Sequence, residues 1–138
     1  MTLSRGTSFG ADLKLFDSCN PVLPRSGRYT RSCTVPRVGR LFIGYGHFAL
    51  TKRALEQDWK KTHWDLWLDG RRVNLKAFGT SDRTLVAFPA AGGKDVVLRE
   101  WDLMLEHAEA GRHTLRYRSR SSTGSTDATW IFTVAGGG

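Results

Sequence analysis

The sequence has only two cysteines in 138 residues, Cys19 and Cys33. It has no run of about 18 apolar residues, so no segment reads as a membrane-spanning helix. The opening stretch MTLSRGTSFGADLKLF lacks the apolar centre of a secretory leader. No GxGxxG or Walker pattern occurs, which argues against a fold that cradles nucleotide phosphates. The GxSxG elbow of common serine hydrolases is also missing. Four histidines, His47, His63, His107 and His113, form neither HxH nor HExxH spacing, so the pattern implies no metal and no cofactor.

What remains is enough for one domain with a real core: 40% hydrophobic residues, 11% aromatic and five tryptophans. The balance of 21 Lys and Arg against 13 Asp and Glu gives a net charge of +8. Such a charge concentrates anionic partners, whether nucleic acid, acidic polysaccharide or a membrane surface, without choosing among them. An arginine-rich codon bias gives the same excess with no partner at all.

Residues 1–36 read as an irregular N-terminal segment, broken by Pro21, Pro24, Pro36 and Gly27, with room for one short strand around Arg28–Thr34. Within it, CNPVLPRSGRYTRSC reads as a loop stapled by a Cys19–Cys33 disulfide, which places the protein outside the cytoplasm. Two unrelated thiols in a reducing cell are the competing account. Residues 37–48 form the first clear strand. Residues 51–62 have helical spacing and a capping Thr51.

Alternation then marks strands over 63–68, 73–75, 83–88, 95–106, 112–120 and 128–134, with an Asp69-Gly70 turn and a polar loop at 121–127. In 95–106 the apolar phase of Val96 and Leu98 differs from that of Trp101, Leu103 and Leu105. A β-bulge near Arg99–Glu100 would reconcile them. Short strands at regular spacing argue for a sandwich or a barrel.

Several short motifs carry a resemblance over Arg37–Val134. They are Trp64-Asp65-Leu66-Trp67-Leu68-Asp69-Gly70, Val73-Asn74-Leu75, Ala77-Phe78-Gly79, Gly111-Arg112-His113-Thr114-Leu115-Arg116-Tyr117 and Thr129-Trp130-Ile131-Phe132-Thr133-Val134. The stretch resembles immunoglobulin-like β-sandwich domains of uncharacterised secreted bacterial proteins. The resemblance implies a last pair of strands joined as a hairpin and a secreted or cell-surface location, with a leader that this sequence does not carry. It implies no catalytic residue. The chain departs from the usual pattern by lacking a cysteine pair between the sheets. The expected fold class is therefore mostly β: an immunoglobulin-like antiparallel β-sandwich of about seven strands with one short inserted helix over 37–135, followed by a Gly tail at 136–138. A small β-barrel is the alternative.

Two groups of residues stand out as candidate ligand contacts. Arg116, Arg118 and Arg120 share one face of one strand by two-residue alternation, so that face must be wet or must meet an anion. Trp67 shares a face with His63 and Asp65, an aromatic beside polar groups of the kind that grips a sugar. Trp64, Trp101 and Trp130 read as core, and Trp59 as a cap on the end of the sandwich. The expectation is a non-enzymatic extracellular binding or accessory module whose ligand is an anionic polymer or carbohydrate. A small enzyme with an apolar cavity and a nucleic-acid-binding module are the alternatives. An enclosed cavity lined by Trp and His would favour the enzyme.

Overall fold

The structure, a computed structural model, describes residues 1–22, 26–122 and 124–136. Among these residues the strands in chain order are β1 (Thr2–Arg5), β2 (Leu13–Lys14), β3 (Gly27–Val35), β4 (Arg40–Phe42), β5 (Gly46–Ala49), β6 (His63–Leu68), β7 (Arg71–Val73), β8 (Thr80–Phe88), β9 (Lys94–Trp101), β10 (Leu103–Glu106), β11 (Gly111–Ser121) and β12 (Gly124–Val134). A short α1 (Leu15–Ser18) follows β2, and α2 (Lys52–Lys61) joins β5 to β6. No helix among the described residues is long and apolar enough to cross a membrane.

Alternation builds the first sheet, ordered β3-β12-β11-β6-β7. Every other residue of β11 and β12 is buried, including Leu115, Tyr117, Trp130 and Phe132, while Arg116 and Arg118 turn to the opposite face. Pairing is antiparallel except for β3, which runs parallel to β12.

The second layer combines β1-β10-β4-β2 with β5-β9-β8. Phe42 opposite Met104 and Gly46 opposite Glu100 lie in one continuous antiparallel register. Between them Ile43 N donates to the Leu103 carbonyl and Trp101 N to the Tyr45 carbonyl, each at 3.0 Å. Glycine is needed along this run because the backbones approach closely. A Cβ on Gly44 would collide with the Trp101 carbonyl, and one on Gly46 with the Arg99 carbonyl.

The result is a mostly β sandwich with one short helix beside it, and the sheets do not close into a barrel. Leu41, Ile43, Tyr45, Leu103 and Leu105 from the second layer meet Leu66, Leu115, Tyr117, Trp130 and Phe132 from the first. Tyr45 and Tyr117 touch across the layers with ring centroids 5.3 Å apart, and Trp130 lies 5.1 Å from Tyr45. Both hydroxyls donate to backbone carbonyls, Tyr45 to Val22 and Tyr117 to Ile43. Burial pushes both phenols well above their ordinary pKa, so they stay neutral donors.

Four sequence expectations need correction. The strand count is higher than seven, because two long strands are each interrupted, at residues 43–45 and at Asp102, and the first 36 residues are not irregular throughout. They contribute β1 and β2, with β1 ordered by pairing along β10, while β3 lies where a short strand over residues 28–34 was expected. No bulge interrupts Arg99–Glu100, since the register there is unbroken. The phase change instead reflects burial on both sides of this layer, where Val96 and Met104 are as buried as Leu103 and Leu105. The polar stretch 121–127 is mostly strand, with Arg118 opposite Asp127 and Ser121 opposite Gly124.

The Cys19–Cys33 disulfide is formed, with Cα atoms 5.4 Å apart. Part of its loop (residues 23–25), Thr123 and the end of the expected Gly tail (residues 137 and 138) lie outside the described residues.

Candidate functional site

The β6–β11 pairing brings all six predicted contact residues onto one outer face. Trp67 lies opposite Arg116, Asp65 opposite Arg118 and His63 opposite Arg120. On the other side of β6, Arg72 of β7 is opposite Trp67. The guanidinium carbons of Arg116, Arg118 and Arg72 lie 4.6, 5.2 and 5.9 Å from the Trp67 ring centroid, within cation–π range. Arg72 and Arg116 reach the indole from neighbouring strands on opposite sides of β6. Trp67 is thus packed among cations, which corrects the reading of an open ring waiting for a sugar.

Asp65 is the anionic centre of this face, with its side chain only 1% exposed. Arg118 donates to it through Nη2 at 2.9 Å and Nε at 3.2 Å, Arg120 at 3.3 Å, and Arg72 donates to the other oxygen. Burial alone would raise the pKa of Asp65. The Arg118 hydrogen bonds and the charges of Arg72 and Arg118 outweigh it and hold the carboxyl below the usual range. His63 Nε2 lies 3.8 Å from Asp65 Oδ1. Oxygens already engaged by three guanidinium groups make a poor cation site.

A second anion completes the pattern. Asp127 accepts from Arg116 Nε at 2.8 Å and Nη2 at 2.7 Å, with Arg28 at 3.8 Å. The Arg116 hydrogen bond is the main cause of its lowered pKa. Strand alternation also puts Arg112 on this face. Six arginines (28, 72, 112, 116, 118 and 120) therefore share the face with two aspartates (65 and 127), leaving four positive charges uncompensated.

At the edge of the same sheet lies an open cleft of about 730 Å³. One wall is Trp59 of α2, Trp64 of β6 and Trp101 of β9, with ring centroids 5.2 to 6.3 Å apart. His63, Arg72 and Lys76 are on the rim. Thr51 Oγ1 caps α2 by accepting from Ala54 N at 3.1 Å. Arg99 ties the helix to β8 by binding Glu56 at 2.6 Å and Asp82 at 2.7 and 2.9 Å. Its guanidinium lies 5.6 Å from the Trp59 centroid, which fixes that ring at the cleft.

A smaller polar pocket of about 240 Å³ borders His47, Asp58, Ser119 and Thr126. His47 Nδ1 is 2.9 Å from Asp58 Oδ2, while Nε2 is buried with no partner among the described residues. A serine-type nucleophile needs a hydrogen bond to that second nitrogen. Among the described residues the dyad has none.

Sequence reasoning placed Arg72 as an extension of the basic surface, and it missed Arg28, Arg112 and Asp127 as parts of the face and the convergence of the three tryptophans at the cleft. Asp127 carried a findable signal, since extending the last strand by alternation puts it in phase with Thr129 and Ile131. No protein-family model matches the chain, and no curated protein matches it in sequence.

Proposed function

We propose that the protein is a non-enzymatic extracellular binding module for an acidic polysaccharide, held by the arginine face of the larger sheet. The observation that carries this reading is the packing of Trp67 among Arg72, Arg116 and Arg118. Neutral sugars and nucleobases bind aromatic platforms by covering an open ring face. Here guanidinium groups occupy that position, so the face offers fixed charge in place of a stacking surface. Alternate residues of a strand are about 7 Å apart, so Arg116, Arg118 and Arg120 form a row suited to repeated anionic groups. Guanidinium forks bind carboxylates and sulfates in a bidentate way.

The immunoglobulin-like kinship and the extracellular setting belong to the same proposal. Strands β12-β11-β6-β7 side by side, with β5-β9-β8 in the facing layer, match the G-F-C-C′ and B-E-D orders of a variable-type immunoglobulin sandwich. The Cys19–Cys33 disulfide is of the kind that persists in an oxidising compartment.

The test is a binding titration against polygalacturonate, an uncharged dextran and a single-stranded oligonucleotide. The acidic glycan is expected to bind and dextran not to. Raising salt from about 50 to about 200 mM should weaken binding on the order of tenfold or more. Equal binding of dextran, or binding indifferent to salt, would refute the proposal. Tighter binding of the oligonucleotide would move the assignment to nucleic acid.

A further inference from the structure

We propose that the tryptophan cleft is a separate subsite that seats a uronic acid residue of a short acidic oligosaccharide, its ring against Trp59 and Trp64 and its carboxylate against Arg72 and Lys76. The proposal rests on the acidic-polysaccharide reading for the ligand's charge, and it concerns the cleft that adjoins the arginine face.

Three features of the cleft point the same way. Its wall is aromatic, and the negative π-faces of Trp59 and Trp64 attract the polarised C–H groups of a sugar ring. Its rim is basic. The one acid lining it among the described residues, Asp65, already has its oxygens engaged by Arg72, Arg118 and Arg120, so it offers little repulsion to an incoming carboxylate.

The third feature is an unmet need for acceptors. The indole N–H groups of Trp64 and Trp101, both on rings that line the cleft, are buried and have no hydrogen-bond partner among the described residues. Unpaired buried donors are uncommon in folded proteins, because each forfeits its hydration with nothing in return. Ring and hydroxyl oxygens of a sugar are acceptors of the needed kind, and they reach these sealed N–H groups once an indole turns toward the cleft.

The backbone adds to this. β7 pairs only with Leu66–Leu68 of β6, so the edge of β6 at residues 63–65 has no strand partner on the cleft side among the described residues. That edge presents peptide groups to ligand hydroxyls. The cleft volume of about 730 Å³ lies within the range of small-ligand sites. His63, Asp65 and Arg72 belong to both the cleft and the arginine face, so a chain lying across the face runs into the cleft.

The experiment titrates the full chain with a short galacturonate oligomer and with the uncharged galactose oligomer of equal length, read by tryptophan fluorescence. The acidic oligomer is expected to bind about tenfold or more tightly than the neutral one. Lys76→Met should weaken it by a similar factor. Trp64→Phe removes the unpaired N–H together with part of the indole, which packs against Tyr45, His47, Trp59, Trp101 and Tyr117, so it should lower the melting temperature and weaken the oligomer several-fold. Lys76 is exposed, so Lys76→Met should leave the melting temperature unchanged, and its loss of binding cannot be laid to unfolding.

Arg112→Gln and Arg28→Gln, remote from the cleft, should lower the salt dependence of polymer binding and leave oligomer affinity alone. Equal affinity for the neutral oligomer, or no loss in Lys76→Met and Trp64→Phe, overturns the subsite. Polymer binding without oligomer binding overturns the subsite and leaves the arginine face standing. Oligomer binding with salt-insensitive polymer binding does the reverse.

Discussion

Arg118 and Asp65 face each other across the β6–β11 pair, and Nη2 and Nε of Arg118 lie 2.9 and 3.2 Å from one oxygen of the Asp65 carboxylate. Arg72 and Arg120 bind the same carboxylate from either side. This buried anion lets a row of arginines stand on one sheet face without driving the strands apart.

Asp65→Asn would keep the shape of the side chain and remove its charge. Three guanidinium groups would then repel one another, but they are a third to two thirds exposed and water would relieve part of the cost. Hydrogen bonds to a charged group are worth about 1.5–3 kcal/mol, so a loss of about 2 kcal/mol in a urea titration is expected. A change below about 0.5 kcal/mol, typical of surface sites, would show that Asp65 does not organise the face.

The same carboxylate gives an acid limit to stability. Its pKa in the folded chain is lowered, so its contribution is fully present above the unfolded value of about 3.9 and is lost as pH falls through the folded value. Asp127 behaves the same way, with Arg116 as the main cause. Denaturation midpoints followed downward from pH 5 should fall less steeply in Asp65→Asn than in the parent chain. Parallel curves for the two would contradict the assignment.

His113 sets an opposite trend near neutrality. Its Nδ1 lies 2.8 Å from Asp69 Oδ2 and its Nε2 lies 2.7 Å from the Glu109 carbonyl, so both ring nitrogens face acceptors. Only the protonated ring can donate to both. Burial by itself lowers the pKa of His113, and the Asp69 and Glu109 hydrogen bonds more than reverse that, leaving it raised. A raised folded pKa gives stability that is complete below the unfolded value of about 6.5 and disappears as pH rises through the folded value. The melting temperature should therefore drop between about pH 6 and pH 8. His113→Gln should flatten that drop, and an unchanged slope in the variant would assign the effect elsewhere.

Removing an acid should strengthen binding at the arginine face. Asp127 occupies Arg116 through two hydrogen bonds and lies near Arg28. Asp127→Asn frees both cations for a ligand, and the steeper field should tighten polygalacturonate several-fold at low salt and make binding more salt-dependent. Arg116→Gln should do the reverse. If both substitutions weaken binding equally, geometry and not charge governs this face.

Much of this face was legible in the sequence, because strict alternation in β6 and β11 fixes which side chains share a side. Trp67, Asp65 and His63 therefore fell together, as did Arg116, Arg118 and Arg120. The unreadable part was adjacency. Residues 63–68 and 115–120 pair across a long sequence separation, and nothing local announces that Arg118 meets Asp65 or that Arg72 closes on Trp67. The cleft is less legible still, since Trp59, Trp64 and Trp101 come from a helix and two different sheets. β1 has no readable pattern of its own and is a strand because β10 offers it an edge.

The disulfide yields the last prediction. Cys19 and Cys33 are 14 residues apart and join the segment after α1 to β3, one of the two edge strands of the larger sheet. β3 is tied to the sandwich by parallel pairing with β12, so it depends on its neighbour on one side only. On that neighbour Trp130 is fully buried and donates from Nε1 to the Asn20 carbonyl at 3.0 Å, one residue past Cys19. Cutting the bridge would release the loop that carries this acceptor and leave a buried indole unpaired. Loop-closure entropy alone assigns a cross-link of this span about 3 kcal/mol. The Cys19→Ser, Cys33→Ser variant is expected to lose about that much, with amide exchange accelerating first in β3 while β6 and β11 stay protected. A loss under about 1 kcal/mol with uniform exchange would mean that parallel pairing alone holds β3 in place.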